Sequence, residues 1–177
     1  VPLQVEVTGW SPFTPGDADS SSLPVCALEY HFENPTNQHV DAVYSFNAMN
    51  FMSTKSEGEA ILAQPNGFVL WEPGHEERPW EEGAFSALVD DDDAHVNCAW
   101  FRGAWFDPLS MAWKDIEEGK YFSRPPATEG RPNPGASIFV PLEIPPGQKR
   151  AVTLMLSWYV PETNLNSMWR PGMDGDK

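Results

Sequence analysis

Basic residues are scarce in this sequence. Lys and Arg total 11 among 177 residues against 26 Asp and Glu, a net charge of −15 with a pI near 4.4. Nucleic acid and anionic membrane surfaces both reward clustered Lys and Arg, so neither is an expected partner. Long apolar runs are missing as well. Nothing approaches the roughly 20 residues that a membrane helix needs, so no transmembrane segment is expected. The chain opens at Val1 without a basic-then-apolar leader. The expectation is a soluble protein with no signal peptide in this chain, processed or cut from something longer, its compartment left open.

Motifs for metals and nucleophiles are also lacking. His31, His39, His75 and His95 fall in separate segments, with no H-E-x-x-H and no C-x-x-C, and surface or strand-packing roles are expected for them. There is no G-x-S-x-G elbow, no G-x-G-x-x-G and no Walker loop. Neither cysteine has a basic partner nearby in sequence. A zinc site, a nucleotide enzyme and a bound cofactor are therefore not expected. Cys26 and Cys98 lie in apolar contexts ("PVCALEY", "HVNCAWF") that suit buried free thiols, and a Cys26–Cys98 disulfide stays open for an exported protein.

What the chain has in quantity is proline and aromatic side chains. Eighteen prolines are about twice the usual share of ~5%. Eight Trp, ten Phe and four Tyr accompany them. Such a composition breaks helices and suits packed sheets.

Alternation of apolar and polar residues marks a strand at Leu3–Thr8, and a polar connection follows over 9–22. Leu23–Phe32 reads as a strand with Cys26, Leu28, Tyr30 and Phe32 on one face. After the turn Glu33–Gln38, Val40–Ala48 reads as another, with Val40, Ala42, Tyr44 and Phe46 together. These two are expected to form an antiparallel hairpin. Further strands are expected at Gly67–Glu72, Ala84–Asp90 and His95–Phe101, the last two joined through Asp91–Asp93. A helix starts at Asp107 as N-cap and Pro108, runs over Leu109–Glu118 and closes at Gly119. Leu109, Ala112, Trp113 and Ile116 share one face, which is expected to dock and carry Trp113 into the core. Tyr121–Gly135 is a Pro/Gly/Arg loop. Ile138–Ile144 and Ala151–Val160, joined by Pro145–Gln148, are expected to form a second hairpin. The fold class is all-β, an antiparallel β-sandwich, complete or incomplete, with one short helix near 108–118. Residues 1–160 make up the sandwich, and 161–177 a linker or truncated tail.

Three features bear on chemistry. The run Asp90–Asp93 offers oxygen ligands, and Asp90 and Asp92 are the Ca²⁺ candidates, although a solvated turn explains the run more simply. Glu76, Glu77, Glu81 and Glu82 flank Trp80, and paired carboxylates are the requirement of glycosidases. With 26 acidic residues a chance pair is expected in any fold, so an acidic surface loop is the simpler reading. Indole faces stack on pyranose rings, which makes the loop-adjacent Trp71, Trp80 and Trp105 candidates for carbohydrate contact. Trp113 and Trp158 lie in apolar settings that assign them to the core.

The order of these segments resembles the amino-terminal domain of glycoside hydrolase family 116, which includes bacterial β-glucosidases and the non-lysosomal glucosylceramidase. "SSLPVCALEYHFENPTNQHVDAVYSFNAMN" (21–50) is similar to its signature stretch, and "VEVTGWSPFTPGD" (5–17) to the approach to it. "MAWKDIEEGKY" (111–121) resembles its short helix. "VPLEIPPGQKRAVTLMLSWYVPETN" (140–164) resembles its L-x-P-G turn and the strand after it. The resemblance implies a β-sandwich that precedes an (α/α)₆ barrel, in which the two catalytic carboxylates reside. No position here matches those carboxylate motifs, so no catalytic residue carries over. The family's glycine-rich segment near the start of the sandwich has no counterpart, which implies the later part of that domain, with sheet edges that another copy or chain covers. The implied partners are that barrel and a carbohydrate or glycolipid substrate of the parent enzyme. Two alternatives stand beside this reading, a freestanding carbohydrate-binding module and a structural sandwich with a Ca²⁺ site.

Overall fold

Side-chain alternation along each strand sorts the residues between a packed face and an outward face, and two sheets result. The computed structural model describes residues 2–53, 60–103, 105 and 107–164. In chain order the elements are β1 (Gln4–Trp10), α1 (Ala18–Ser21), β2 (Val25–Glu33), β3 (Val40–Met49), β4 (Ala60–Gln64), β5 (Gly67–Glu72), β6 (Gly83–Val89), β7 (His95–Asn97), α2 (Pro108–Glu117), β8 (Gly135–Ile144) and β9 (Lys149–Tyr159). The larger sheet runs β1-β2-β9-β6-β5-β4 and the smaller β3-β8-β7, with every strand pair antiparallel. The fold is an all-β sandwich with one short helix of more than a single turn, as the periodicity indicates.

The core lies between the sheets. Phe68, Leu70, Phe85, Ala87, Val152 and Leu154 come from the larger sheet, and Ile138, Val140, Leu142 and Ile144 from the smaller. Rings cross the gap, with Phe46 stacked 6.2 Å from Phe68 and Tyr30 4.9 Å from Tyr44. Burial, with the Tyr30 ring beside it, pushes the Tyr44 phenol above its ordinary value.

Neither expected hairpin forms. β2 pairs with β1 and β9, while β3 pairs with β8, so the 34–39 connection arches from one sheet to the other. The Pro145–Gln148 turn does the same between β8 and β9. Asn34 is the physical reason both arches hold. Its fully buried amide donates to Ile144 O at 2.7 Å and Gln38 O at 2.8 Å, and its Oδ1 accepts from the Thr36 amide and hydroxyl. Its backbone accepts from Gly147 N and donates to Gln148 O. One side chain thus fastens the two crossovers together.

Other differences from the sequence reading are local. β4 pairs with β5 across a tight turn at Pro65-Asn66, a hairpin that the pattern did not suggest. β7 stops at Asn97 because the next backbone donor, Cys98 N, goes to Arg124 O rather than to a neighbouring strand. Cys26 and Cys98 are both free thiols, half-buried and buried respectively.

Candidate functional site

The outer face of the smaller sheet is covered by the segment between β7 and β8. Trp100 is buried against it, donating Nε1–H to Ser137 Oγ at 2.8 Å. Gly135 is required under that indole, since a Cβ there would meet the ring at 2.6 Å. Phe122 packs on Phe139 and carries the Arg124 guanidinium 4.2 Å above its ring, a cation–π contact. Arg102 closes the loop by donating to Glu129 O and Arg131 O, each at 2.6 Å. These anchors escaped the sequence reading, because Trp100, Arg102 and Ser137 meet only through long-range contacts.

On this base stands α2, begun by its two predicted signals. Asp107 accepts from Ser110 N at 3.0 Å and from the Ser110 hydroxyl, bonds that hold its carboxyl below the ordinary carboxylate range. Gly119 ends the helix at φ +62. The expected docking of the apolar stripe does not occur. No α2 residue is buried, Leu109 is about half exposed, and Trp113 is 58% exposed, donating its indole N–H to Glu117 instead of packing in the core. An apolar stripe shows which face avoids water, not what covers it. Between α2 and the sheet lies a cleft of about 250 Å³, lined by Trp100, Phe101, Met111, Ala112, Asp115 and Arg124 among others. Phe101, Trp105 and Tyr121 are exposed near by in sequence, Trp105 at 93%.

The three candidate tryptophans occupy different parts of the fold. Trp105 belongs to the segment leading into α2. Trp71 stands half-buried on the outer face of β5, in one row with Ala84 and Tyr159. Trp80 is partly exposed in the 3₁₀ turn Pro79–Glu81 after that strand. That loop is fixed by Arg78, which pairs with Glu81 at 2.7 Å, and His75 approaches the same carboxylate at 4.0 Å. Trp158, assigned to the core by its apolar strand, is 39% exposed; it does lie on the inner face, 5.2 Å from Phe85, but at the open end of the sandwich.

The aspartate run is largely occupied by the fold. Asp90 Oδ1 accepts from Thr153 N at 2.8 Å, extending the β6–β9 pairing beyond Val89. Asp91, nearly buried, takes Asp93 N on one oxygen and Arg150 on the other at 2.6 Å. Asp92 is exposed. Among the described residues, no three His, Cys, Asp or Glu side chains are grouped to hold a metal ion.

Over residues 1–170 the chain matches the family described as beta-glucosidase 2, glycosyl-hydrolase family 116 N-term. The chain belongs to this family. No curated protein matches it. Membership places the family 116 domain as the amino-terminal, glycoside-hydrolase-associated part of such enzymes. The segments whose order resembles the family include both arches fastened by Asn34 and the helix α2. Among the exposed large hydrophobic side chains of this family 116 domain are Trp105, Phe13 and Trp113. No helix of the described residues is long and apolar enough to cross a membrane.

Proposed function

We propose that this domain is a non-catalytic β-sandwich of a family 116 glycoside hydrolase, packing on an (α/α)₆ catalytic barrel and helping to wall its substrate cleft. The reaction of the parent enzyme is hydrolysis of a β-glucoside or glucosylceramide by two carboxylates of the barrel. The observation that carries this reading is the family match over residues 1–170, and the exposed aromatic residues Phe101, Trp105, Trp113 and Tyr121 supply surface for such packing. The test is expression of the parent enzyme with and without this domain, alongside the domain alone, assayed on aryl β-glucosides. The domain alone is expected to be inert, and its deletion to abolish or cripple hydrolysis. Turnover by the domain alone, or full activity without it, overturns the reading.

Carbohydrate binding through Trp71, Trp80 or Trp105 is the second reading, favoured by the nearly complete exposure of the Trp105 indole. Titration with glucose, cellobiose, xylo-oligosaccharides and a soluble glucosylceramide analogue, followed by tryptophan fluorescence, tests it. A saturable change lost in Trp105→Ala supports recognition by that residue, and a flat response removes this reading. Self-association through exposed sheet edges is tested on the same material by mass in solution across concentration.

A further inference from the structure

Among the described residues, the core covers the inner face of both sheets and residues 98–103 and 107–134 cover much of the smaller sheet's outer face, whereas the larger sheet's outer face is open at many positions. That face divides sharply. Strand register puts Trp10, Ala27, Met155, Leu88, Gly67 and Gln64 in one row across all six strands. The next row holds Val25, Ser157, Ser86, Val69 and Leu62, and the third Tyr159, Ala84, Trp71 and Ala60. None of these three rows contains a charged side chain, in a chain with 37 charged residues (11 + 26). The opposite end of the same face, over β1, β2 and β9, carries Glu6, Glu29, His31, Glu33 and Lys149. Trp10, Leu62, Met155 and Tyr159 are each about half exposed.

We infer that the uncharged half of this face is the surface against which the catalytic domain of the same polypeptide packs, an inference that rests on the proposed function above. Four observations select this occupant. The chain leaves β9 at Tyr159, itself in the third row, so a domain joined to the carboxyl end of the sandwich is tethered at this surface. With strands ~4.8 Å apart and same-face rows ~6.7 Å apart, the half-face covers roughly 500 Å². Counting both partners, that is about 1,000 Å², within the ~600–1,500 Å² typical of domains packed in one chain. A second copy is disfavoured, since each would bring a net charge of −15 and the same acidic flank. A sugar is disfavoured because the rows hold no carboxylate, and their polar groups (Ser86, Ser157, Gln64, the Tyr159 hydroxyl and the indole N–H of Trp10 and Trp71) are spread from β1 to β4 rather than gathered around one ring. The surface that fits is aliphatic and aromatic, with basic groups at its margin facing Glu6, Glu29 and Glu33.

Two native methionines make the test possible without mutation. Met155 is 41% exposed in the uncharged half-face, and Met49 is 47% exposed at the end of β3 in the other sheet. Peroxide oxidation of the full-length polypeptide, read by peptide mass spectrometry, compares them. Exposure alone predicts rates within about twofold of each other, whereas docking predicts Met155 slower by about tenfold or more. Equal rates overturn the inference, and so does Met155 protection that appears only with rising protein concentration or added glucan. In the same full-length protein, Leu62→Glu at the half-exposed edge of the face is expected to split one melting transition into two; an unchanged single transition counts against the inference. Failure of the underlying reading looks different: deletion of the whole domain would leave activity intact. Fast Met155 oxidation together with loss of activity on deletion rejects only the assignment of this face.

Discussion

Replacing Asn34 tests whether one side chain holds the two crossovers of the sandwich. In Asn34→Ala four side-chain hydrogen bonds disappear. Thr36 and Gln38 lie toward solvent and keep each other's company through the Thr36 hydroxyl, so water replaces much of what they lose. The carbonyl of Ile144 is different, because Ile144 is buried and no water reaches it freely. Removing the Asn34 donor from this buried carbonyl costs about 1–3 kcal/mol, and the partly exposed bonds add about 0.5–1.5 kcal/mol between them. The expected loss is about 3 kcal/mol, a fall of roughly 6–12 °C in Tm for a domain of this size. Asn34→Asp keeps the shape but turns an oxygen toward the Ile144 and Gln38 carbonyls. At neutral pH the buried carboxylate adds a desolvation cost, so this variant is expected to be weaker than Asn34→Ala. Its folded-state pKa is raised above the unfolded ~3.9, so the folded form tolerates the side chain only when protonated. The Asp variant therefore recovers as pH falls through the raised value, while the Ala variant keeps a constant deficit. Urea unfolding at pH 7 and pH 4.5 measures both. An Asn34→Ala midpoint within ~0.5 kcal/mol of the parent, or two variants that respond alike to pH, refutes the reasoning.

Burial pushes the Cys98 thiol from 9.0 up to about 11, a hundredfold loss of thiolate at fixed pH, so iodoacetamide at pH 8 is expected to modify Cys26 well ahead of Cys98 until the chain unfolds. The same shift carries a stability sign: the neutral thiol favours the folded state, so its contribution is whole below pH 9 and is lost as pH rises toward 11, measurable as a falling urea midpoint that Cys98→Ser does not share. Asp90 and Asp91 already hold Thr153, Asp93 and Arg150, so excess Ca²⁺ or EDTA is expected to leave Tm unchanged. A saturable rise with Ca²⁺ that Asp92→Asn abolishes would show that the run binds the ion after all.

Strand faces were legible in the sequence, whereas strand partners were not. Leu28, Tyr30 and Phe32 face the core as alternation indicates, and so do Val40, Ala42, Tyr44 and Phe46. Alternation states which side of a strand is apolar, and a six-residue connection can close a hairpin or cross between sheets with either pattern. The choice rests on Asn34, whose decisive partner Ile144 is 110 residues away. The helix was legible at both ends, through Asp107, Pro108 and Gly119, because caps are local. Its docking was not, because the surface that would bury Leu109 and Trp113 is not local. The outer face of the larger sheet did leave a signal. "TLMLSWY" in β9 and "GFVLW" in β5 run almost without charged residues, the pattern of strands with both faces away from water. Read for alternation alone, such runs look like poorly marked strands; read for both faces, they mark a sheet that needs a second cover.

Six strands against three also decide where the fold has surface to spare. Val5 and Val7 pair with Phe32 and Tyr30, so they point toward the core side of the larger sheet. Both are nevertheless about half exposed, because the smaller sheet ends at β3 and does not reach under β1. Among the described residues, β1 therefore lacks cover on its inner face and a neighbour along its outer edge, and Glu6 is the one charge it sets against strand addition. On the opposite side of the same sheet, the uncharged rows around Met155 and Trp71 lack cover among the described residues. Uncovered apolar surface at two such places costs solubility in a free module, and the handful of kcal/mol that stabilise a domain leave little margin for it. A domain that spends its life packed within one polypeptide has no such difficulty, since each uncovered face becomes an interface. The unequal sheets are thus easier to reconcile with a domain built into an enzyme than with an independent binding module, and Met155 is where the two accounts diverge most.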